Sequence, residues 1–285
     1  MTEMKYIKNL LSTSTGTEGS LLIVKQIYDT LIDEVEKVLL PRSEAGLYFG
    51  PGQIQGSSID VDLATGGISV KVVAEGADIP IDNESYTSTN LKPTKYGVAI
   101  RITKEMLEDG KWNLLQHNIA TTGKRFAENE TNLILTQLQG CTNNVGGGAA
   151  ITISDITTGM QYLEDADYTP TTLIVGNEVV NDLRNIDTFA EADKSGSTEM
   201  LQRGFIGRIY GMNVIRFSTN AAPSTTYAKY AYVIDNRYAY MIAEKRPVTV
   251  ENFDLPANDM SAASVTQRIV VARMRDTATC RISTS

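Results

Sequence analysis

The feature that most constrains the fold is a pair of strand-like segments, residues 68–74 and 86–102, joined by turn-forming residues. The first segment is dominated by β-branched residues, and the second is rich in Thr, Tyr, Val and Ile. Residues 75–85 between them contain Gly76, Pro80 and Asp82 followed by Asn83, all of which favour turns. The pattern predicts a long β-hairpin.

The length of this predicted hairpin limits where it can lie. An arm of about 15 residues reaches roughly 50 Å, whereas a compact chain of this size has a radius of gyration of about 19 Å. An isolated two-stranded ribbon is only marginally stable in water. We therefore expect the hairpin either to fold back over its own domain or to lie on a neighbouring subunit.

Two amphipathic helices are predicted in the N-terminal half. The first begins at Ser20, a good N-cap, and ends before Pro41. Its apolar face includes Ile27, Leu31 and Val35. This face fits an ordinary core helix and an arm that docks on another subunit equally well. A longer helix is predicted over residues 111–138, ending before Gly140.

From residue 151 onward the pattern alternates between helices and strands. Helices are predicted over 154–166 and after Asn177, with a short buried strand at 173–175 and a glycine-punctuated strand pair over 205–217. We expect a hairpin between 230–235 and 238–243. Further strands are predicted at 248–253 and 268–282.

Residues that usually carry catalysis are scarce. The chain has one histidine, His117, and two cysteines, Cys141 and Cys280. Two thiols exclude a disulfide framework and a four-thiolate zinc site, and we expect both to be free and buried. Acidic pairs such as Asp60 and Asp62 favour a solvated surface, with a metal-dependent enzyme left as an alternative. We expect a protein that is not an enzyme and has no metal or cofactor.

The overall charge argues against general binding to polyanions. The chain carries 26 Lys and Arg residues against 34 Asp and Glu, a formal net charge of -8. Such a surface does not grip nucleic acid irrespective of sequence. The first twenty residues lack the apolar region of a signal peptide, and no apolar run is long enough to span a bilayer. We expect a soluble protein that does not associate with membranes.

Two local charge clusters are more informative. The predicted hairpin tip has no Lys or Arg between residues 72 and 91, and its acidic residues are Glu75, Asp78, Asp82 and Glu84. Near the C-terminus, Arg273, Arg275 and Arg281 occupy odd positions of one predicted strand and would share a face. Both clusters fit solvated surfaces. They also fit a contact in which the acidic tip of one chain meets the arginine face of another.

The order of these segments resembles that of the major capsid proteins of tailed phages. In that family an Ala-Glu-Gly stretch, a strand ending in Lys-Pro-x-Lys and a helix start of the form Ile-Thr/Ser-x-Glu-Met/Leu-Leu follow one another. Residues 70–110 contain all three, at 74–76, 92–95 and 102–107. Residues 169–186 resemble the family's axial strand and helix, and residues 204–214 its glycine-rich turn. The similarity extends over roughly residues 20–285.

The resemblance implies an α+β chain with the Hong Kong 97-type capsid fold. Its parts would be an N-terminal arm (1–50), a β-hairpin extended loop (51–102), a peripheral domain with the spine helix (103–150), an α/β axial domain (151–245) and the return strands of the peripheral domain with the C-terminus (246–285). Lys71 and Lys92 join the acidic tip residues as expected subunit contacts of the extended loop.

The function implied by the resemblance is self-assembly, through hexamers and pentamers, into an icosahedral shell around a double-stranded DNA genome. The main partner would be the chain itself, with weak contact to DNA. A separate scaffolding protein, a portal and decoration proteins are further implied partners. The expected location is the virion capsid, after synthesis in the host cytoplasm. An encapsulin-type compartment shell and another virion component, such as a tail or decoration protein, remain alternatives.

Overall fold

A computed structural model describes residues 42–103, 113–146, 148–186, 207–217, 224–255 and 260–284. The predicted arm helix, with Ile27, Leu31 and Val35, lies outside these residues. The described α-helices are α1 (Asn113–Gln139), α2 (Ile153–Glu164) and α3 (Asn177–Asn185). The strands are β1 (Leu47–Phe49), β2 (Ile59–Gly66), β3 (Ser85–Leu91), β4 (Thr94–Thr103), β5 (Asn143–Gly146), β6 (Thr172–Val175), β7 (Arg208–Ile209), β8 (Met212–Arg216), β9 (Tyr230–Ile234), β10 (Tyr240–Leu255), β11 (Met260–Arg273) and β12 (Thr279–Ser283).

A six-stranded mixed sheet is built mainly from the C-terminal half, in the order β5-β12-β9-β6-β8-β7. Its inner strand β6 is buried at all four positions, which explains the uninterrupted apolar run seen in the sequence. Helices α2 and α3 contribute Ile156, Leu163, Val179 and Leu183 to the core of this sheet. The predicted strand at 173–175 is therefore confirmed.

A four-stranded sheet, in the order β1-β10-β11-β4, packs against the long helix. Ile134, Leu135 and Leu138 of α1 join a buried cluster with Ile242 of β10 and Ile269 of β11. The helix predicted over 111–138 is confirmed for its described part, because α1 runs from Asn113 to Gln139 and the chain leaves the helix at Gly140.

The helices of the six-stranded sheet begin one or two residues earlier than predicted. Thr152, not Ser154, is the N-cap of α2, and it forms a reciprocal capping box with Asp155. Gly176 is the N-cap of α3 in place of Asn177. A side chain at Gly176 would overlap the backbone carbonyl of Ala228, so close packing of the chain rather than side-chain capping decides this boundary.

The hairpin predicted between 230–235 and 238–243 is wrong. β9 lies in the six-stranded sheet and β10 lies in the four-stranded sheet, so the turn between them joins two sheets. The buried carboxylate of Asp235 holds this turn. It accepts hydrogen bonds from the backbone N–H of Thr169 at 3.2 Å and from the guanidinium of Arg237 at 2.9 and 3.1 Å.

The long hairpin is also different from its prediction. The partner of β3 is β2, not residues 68–74, and the pairing runs from Ile59 opposite Leu91 to Gly66 opposite Ser85. Residues 67–84, which we call the loop tip, form no strand. Residues 86–102 do not form one strand, because Pro93 separates β3 from β4. β4 instead pairs with β11 along its whole length.

Candidate intersubunit contact site

The two-stranded ribbon β2–β3 is fixed to the body of the subunit at its base. Leu91 and Ile54 are buried with Met241 and Ala243 of β10. Two cationic side chains bind carbonyl oxygens near the ribbon: Lys245 donates to Gly56 and Arg275 donates to Ala64. The direction in which the ribbon leaves the subunit is therefore set by apolar packing and by these two contacts.

The alternation along β2 places Asp60 and Asp62 on one exposed face, which fits the solvated acidic surface that the sequence favours. Asp60 accepts a hydrogen bond from the side-chain amide of Asn90 across the ribbon. Among the described residues there is no group of three or more His, Cys, Asp or Glu side chains that could hold a metal ion. The pair is a polar ribbon face in this structure.

The loop tip exposes apolar side chains to an unusual degree. Val70 and Val72 are each 103% exposed, and Ile81 is 89% exposed. Ile68 and Ile79 are exposed as well. Complete burial of one such side chain is worth about 1.5–3 kcal/mol. Several exposed aliphatic residues within one short segment are typical of a surface that another molecule covers.

An ion pair and two hydrogen bonds join the two sides of the loop tip. The ammonium group of Lys71 lies 2.8 Å from Asp82, and Ser69 donates to the same carboxylate through its hydroxyl at 2.8 Å and its backbone N–H at 3.1 Å. The hydrogen bond from Lys71, followed by those from Ser69, lowers the pKa of Asp82. Two of the predicted contact residues, Lys71 and Asp82, are thus paired with each other.

The other predicted contact residues of the extended loop are exposed. These residues are Glu75, Asp78, Glu84 and Lys92. Within the described part of the chain, Glu75, Asp78 and Glu84 form no hydrogen bond or ion pair. Three carboxylates of the tip therefore remain available to a partner, and their role as subunit contacts stays a prediction.

The shared arginine face predicted near the C-terminus is wrong in its geometry. Residues 268–282 are not one strand, because the chain turns between β11 and β12. Arg273 pairs with Asp276 at 2.9 Å, Arg275 contacts the ribbon, and Arg281 donates to the side chain of Asn144 at 3.0 Å. Each guanidinium already has a partner in its own chain, and the three do not line one strand face.

A buried ionic cluster that the sequence did not reveal lies where the described chain begins. Arg42 donates to Glu130 of α1 at 2.8 and 2.9 Å and to Glu244 of β10 at 3.1 and 3.3 Å. Glu130 and Glu244 are 1% and 2% exposed. Tyr48 donates to Glu244 at 2.6 Å, and Gln267 donates to it at 3.1 Å. The cluster ties the segment that follows residue 41 to both the long helix and the four-stranded sheet.

The electrostatics of this cluster follow from burial between carboxylates. Burial alone would lower the pKa of Arg42, but its hydrogen bonds and charge interactions with Glu130 and Glu244 raise it above its usual value. Burial and the hydrogen bond to Glu244 raise the pKa of Tyr48 to about 12. No sequence signal points to this cluster, because its members lie far apart in the chain and a glutamate within a helix is usually exposed.

The two cysteines are free and buried, as expected. Burial raises the pKa of Cys141, and it raises that of Cys280 to about 12. Both thiols are therefore protonated at neutral pH and lack the thiolate that nucleophilic chemistry needs. Among the described helices, none combines the length and the apolar character needed to cross a bilayer.

The described architecture is similar to that of several solved capsid and virus-like-particle chains. The mature capsid of bacteriophage PhiM1 is similar over 87% of both chains, with a TM-score of 0.70 and 11% identity. The capsid of cyanophage P-SCSP1u matches over 87% of this chain and 88% of the other, with a TM-score of 0.67 and 9% identity. A virus-like particle from Pyrococcus furiosus matches over 92% and 99%, with a TM-score of 0.60 and 14% identity. The fold is the predicted Hong Kong 97-type capsid fold.

The family follows from the sequence itself. A family model of phage capsid proteins matches residues 86–282, more than half of the chain. The chain therefore belongs to the phage capsid protein family, and the predicted identity is confirmed. A search of curated proteins finds no match. As a member of this family it is a structural component of the virion capsid. The comparisons do not support the encapsulin alternative better than they support a phage capsid protein.

Proposed function

We propose that this chain is the major capsid protein of a tailed phage, which assembles through hexamers and pentamers into an icosahedral shell around double-stranded DNA. The observation that carries the proposal is the loop tip, whose aliphatic side chains are exposed in the isolated subunit. Its five most exposed Ile and Val residues would contribute on the order of 10 kcal/mol if a neighbour buried them. A contact of this size is repeated at every subunit of a shell.

The two sheets support a division into the predicted domains with one refinement. We propose that the axial domain is the six-stranded sheet with α2 and α3, and that it includes β5 and β12 as well as residues 151–234. The peripheral domain is then the four-stranded sheet with α1. The ribbon and the loop tip form the extended loop.

The remaining partners are proposed from the function. Synthesis in the host cytoplasm precedes assembly, with a separate scaffolding protein, a portal and decoration proteins as partners. The net charge of -8 favours weak contact with the packaged DNA, because an acidic subunit releases few counterions from a polyanion.

The first experiment is size-exclusion chromatography of the expressed protein with negative-stain microscopy of the excluded peak. We expect closed polyhedral particles. A variant in which Val70, Val72, Ile79 and Ile81 are replaced by Ser should elute as a folded small species, because these side chains are exposed and support no core. The matched control Tyr162→Ser changes an exposed residue of α2 and should still form shells.

Shells formed by the four-serine variant would refute the role of the tip. The contents of particles from infected cells test the rest of the proposal. Double-stranded DNA is the expected content, whereas particles filled with an enzyme and lacking a genome would favour the compartment alternative.

A further inference from the structure

A row of three cationic residues crosses the four-stranded sheet. Arg268 of β11 lies opposite Lys95 of β4 on one side and opposite Arg246 of β10 on the other. Residues paired directly across neighbouring strands point to the same face of a sheet, with Cβ atoms about 4.5–5.5 Å apart. We call these three residues the cation row. Like charges placed opposite one another destabilise a sheet, so the cation row is unfavourable unless a negative charge joins it.

The three cations find almost no partners in their own chain. Within the described part of the chain, Lys95 and Arg246 form neither a hydrogen bond nor an ion pair. Arg268 donates one hydrogen bond, to the carbonyl oxygen of Pro93 at 3.3 Å. The chain has no acidic residue between 85 and 103, so β4 and the segment before it supply no carboxylate.

The two glutamates of β10 are not placed to neutralise the cation row. Glu244 is paired with Ile269, so it lies on the opposite face of the sheet, where it accepts hydrogen bonds from Arg42. Glu251 shares the face of the cation row but lies opposite Ser264, four residues or roughly 13 Å along β11 from Arg268. The positive charge of the row is therefore left without a counter-charge from this neighbouring strand.

Two buried polar groups at the cation row also lack hydrogen-bond partners. The Nε atom of Arg246 is shielded from solvent and unpaired, and so is the hydroxyl oxygen of Thr266, a residue that is only 9% exposed. Thr266 lies two residues from Arg268 along β11, so both residues share one face. Unpaired buried donors cost free energy, and a ligand rich in acceptor oxygens would satisfy both of them.

The surroundings of the cation row suit a small ligand. On one side lies the base of the ribbon, where Lys245 of the β10 bulge donates to the carbonyl oxygen of Gly56. On the other side lies Gly97, which is exposed and carries no side chain. A Cβ at Gly97 would lie 3.2 Å from the methyl group of Thr266, so any larger residue would crowd the surface beside the row.

We propose that the cation row is a binding site for a tetrahedral oxyanion of the phosphate type. The guanidinium groups of Arg246 and Arg268 and the ammonium group of Lys95 would donate to its oxygens, and the hydroxyl of Thr266 would donate to one of them. A guanidinium group donates to two oxygens at once, and an ammonium group adds a compact charge. Free phosphate and a phosphodiester of nucleic acid share this chemistry. Binding by single chains does not depend on shell formation, so this inference goes beyond the proposed function.

Equilibrium dialysis of the full-length chain against labelled inorganic phosphate at fixed ionic strength tests the site. We expect one saturable phosphate per chain. Lys95→Gln with Arg246→Gln removes two of the three charges and keeps the bond from Arg268 to Pro93. It should weaken binding about tenfold or more, because hydrogen bonds to a charged ligand are lost.

The matched control is Lys124→Gln with Arg125→Gln, which removes the same charge from two exposed positions of α1 and should bind phosphate like the wild type. A DNA duplex of about 20 base pairs, added as a competitor, distinguishes the sources. Displacement of labelled phosphate supports the site with a phosphodiester as its ligand. Phosphate binding without displacement supports the site with the free ion as its ligand.

Two results would overturn the site. One is the absence of saturable phosphate binding to the wild type, and the other is equal affinity in the wild type and in Lys95→Gln with Arg246→Gln. Circular dichroism checks folding. Should the double variant fail to fold, Lys95→Gln alone replaces it, because Lys95 is exposed and supports no core. The single variant should weaken binding about threefold or more, and an unchanged affinity would overturn the site as well.

Discussion

The buried cluster around Arg42 makes a sharp prediction about stability. Arg42→Met leaves Glu130 and Glu244 buried without the guanidinium that now makes four hydrogen bonds to them. Removing one partner of a buried ion pair costs about 3–5 kcal/mol. The side chain of Arg42 is 31% exposed, so we expect the lower end of this range, about 3 kcal/mol. For a chain of 285 residues that corresponds to a melting temperature lower by about 5 °C.

The assay is urea and thermal unfolding of the unassembled four-serine tip variant, followed by circular dichroism, with and without Arg42→Met. Arg42→Lys is the matched control. It keeps the charge but loses the paired geometry to Glu130, so it should cost about 1–2 kcal/mol. Adding Glu130→Gln and Glu244→Gln to Arg42→Met should recover much of the loss, because no uncompensated charge stays buried. A loss below about 1 kcal/mol for Arg42→Met would refute the reasoning.

Three further predictions concern single groups in the same unassembled background. The pKa of Tyr48 in the folded state, about 12, exceeds its unfolded value near 10, so its contribution is complete below pH 10 and is lost as the pH rises through 12. Tyr48→Phe should therefore reduce the decrease in unfolding free energy between pH 10 and 12 by about 1 kcal/mol, allowing for the exposure of the ring. An unchanged dependence of the unfolding free energy on pH in this range would contradict this. Hydrogen bonds from Arg237 and Thr169 outweigh burial and lower the pKa of Asp235, so its contribution is present above about pH 4 and is lost as the pH falls further. Asp235→Asn should reduce the decrease in the free energy of unfolding, measured with urea, that occurs as the pH falls below about 4. An equally steep decrease in the variant would argue against this role of Asp235. Gly46→Ala places a methyl group against the carbonyl oxygen of Arg237 and should cost about 1–3 kcal/mol in urea unfolding, whereas a neutral result would mean that the backbone moves freely there.

Local signals predicted several elements well. The long apolar periodicity that ends at Gly140 predicted α1, and the uninterrupted apolar run at 173–175 predicted β6 at the middle of a sheet. The segment order that resembles the capsid family also predicted the fold, which the structure and the family model confirmed. These features are encoded within neighbouring residues or in the order of segments along the chain.

Predictions that depended on which strand pairs with which other strand failed more often. The segments at 230–235 and 238–243 have the composition of a hairpin, yet the turn at Asp235 sends them into different sheets. Residues 68–74 are β-branched like a strand, but the register of the ribbon pairs β3 with β2 and leaves the loop tip exposed. Strand propensity describes a residue's fit to a pleated surface and does not name the strand beside it.

The features of the candidate site divide in the same way, into those encoded locally and those that depend on distant partners. The sequence by itself determined the acidic tip, the scarcity of catalytic residues and the family resemblance, since these depend only on which residues occur and in what order. Only the tertiary structure decided that Arg273, Arg275 and Arg281 are engaged within their own chain and that Glu130 and Glu244 are buried around Arg42. Partners separated by as many as 211 residues meet only when the sheets have formed, and no local pattern carries that information.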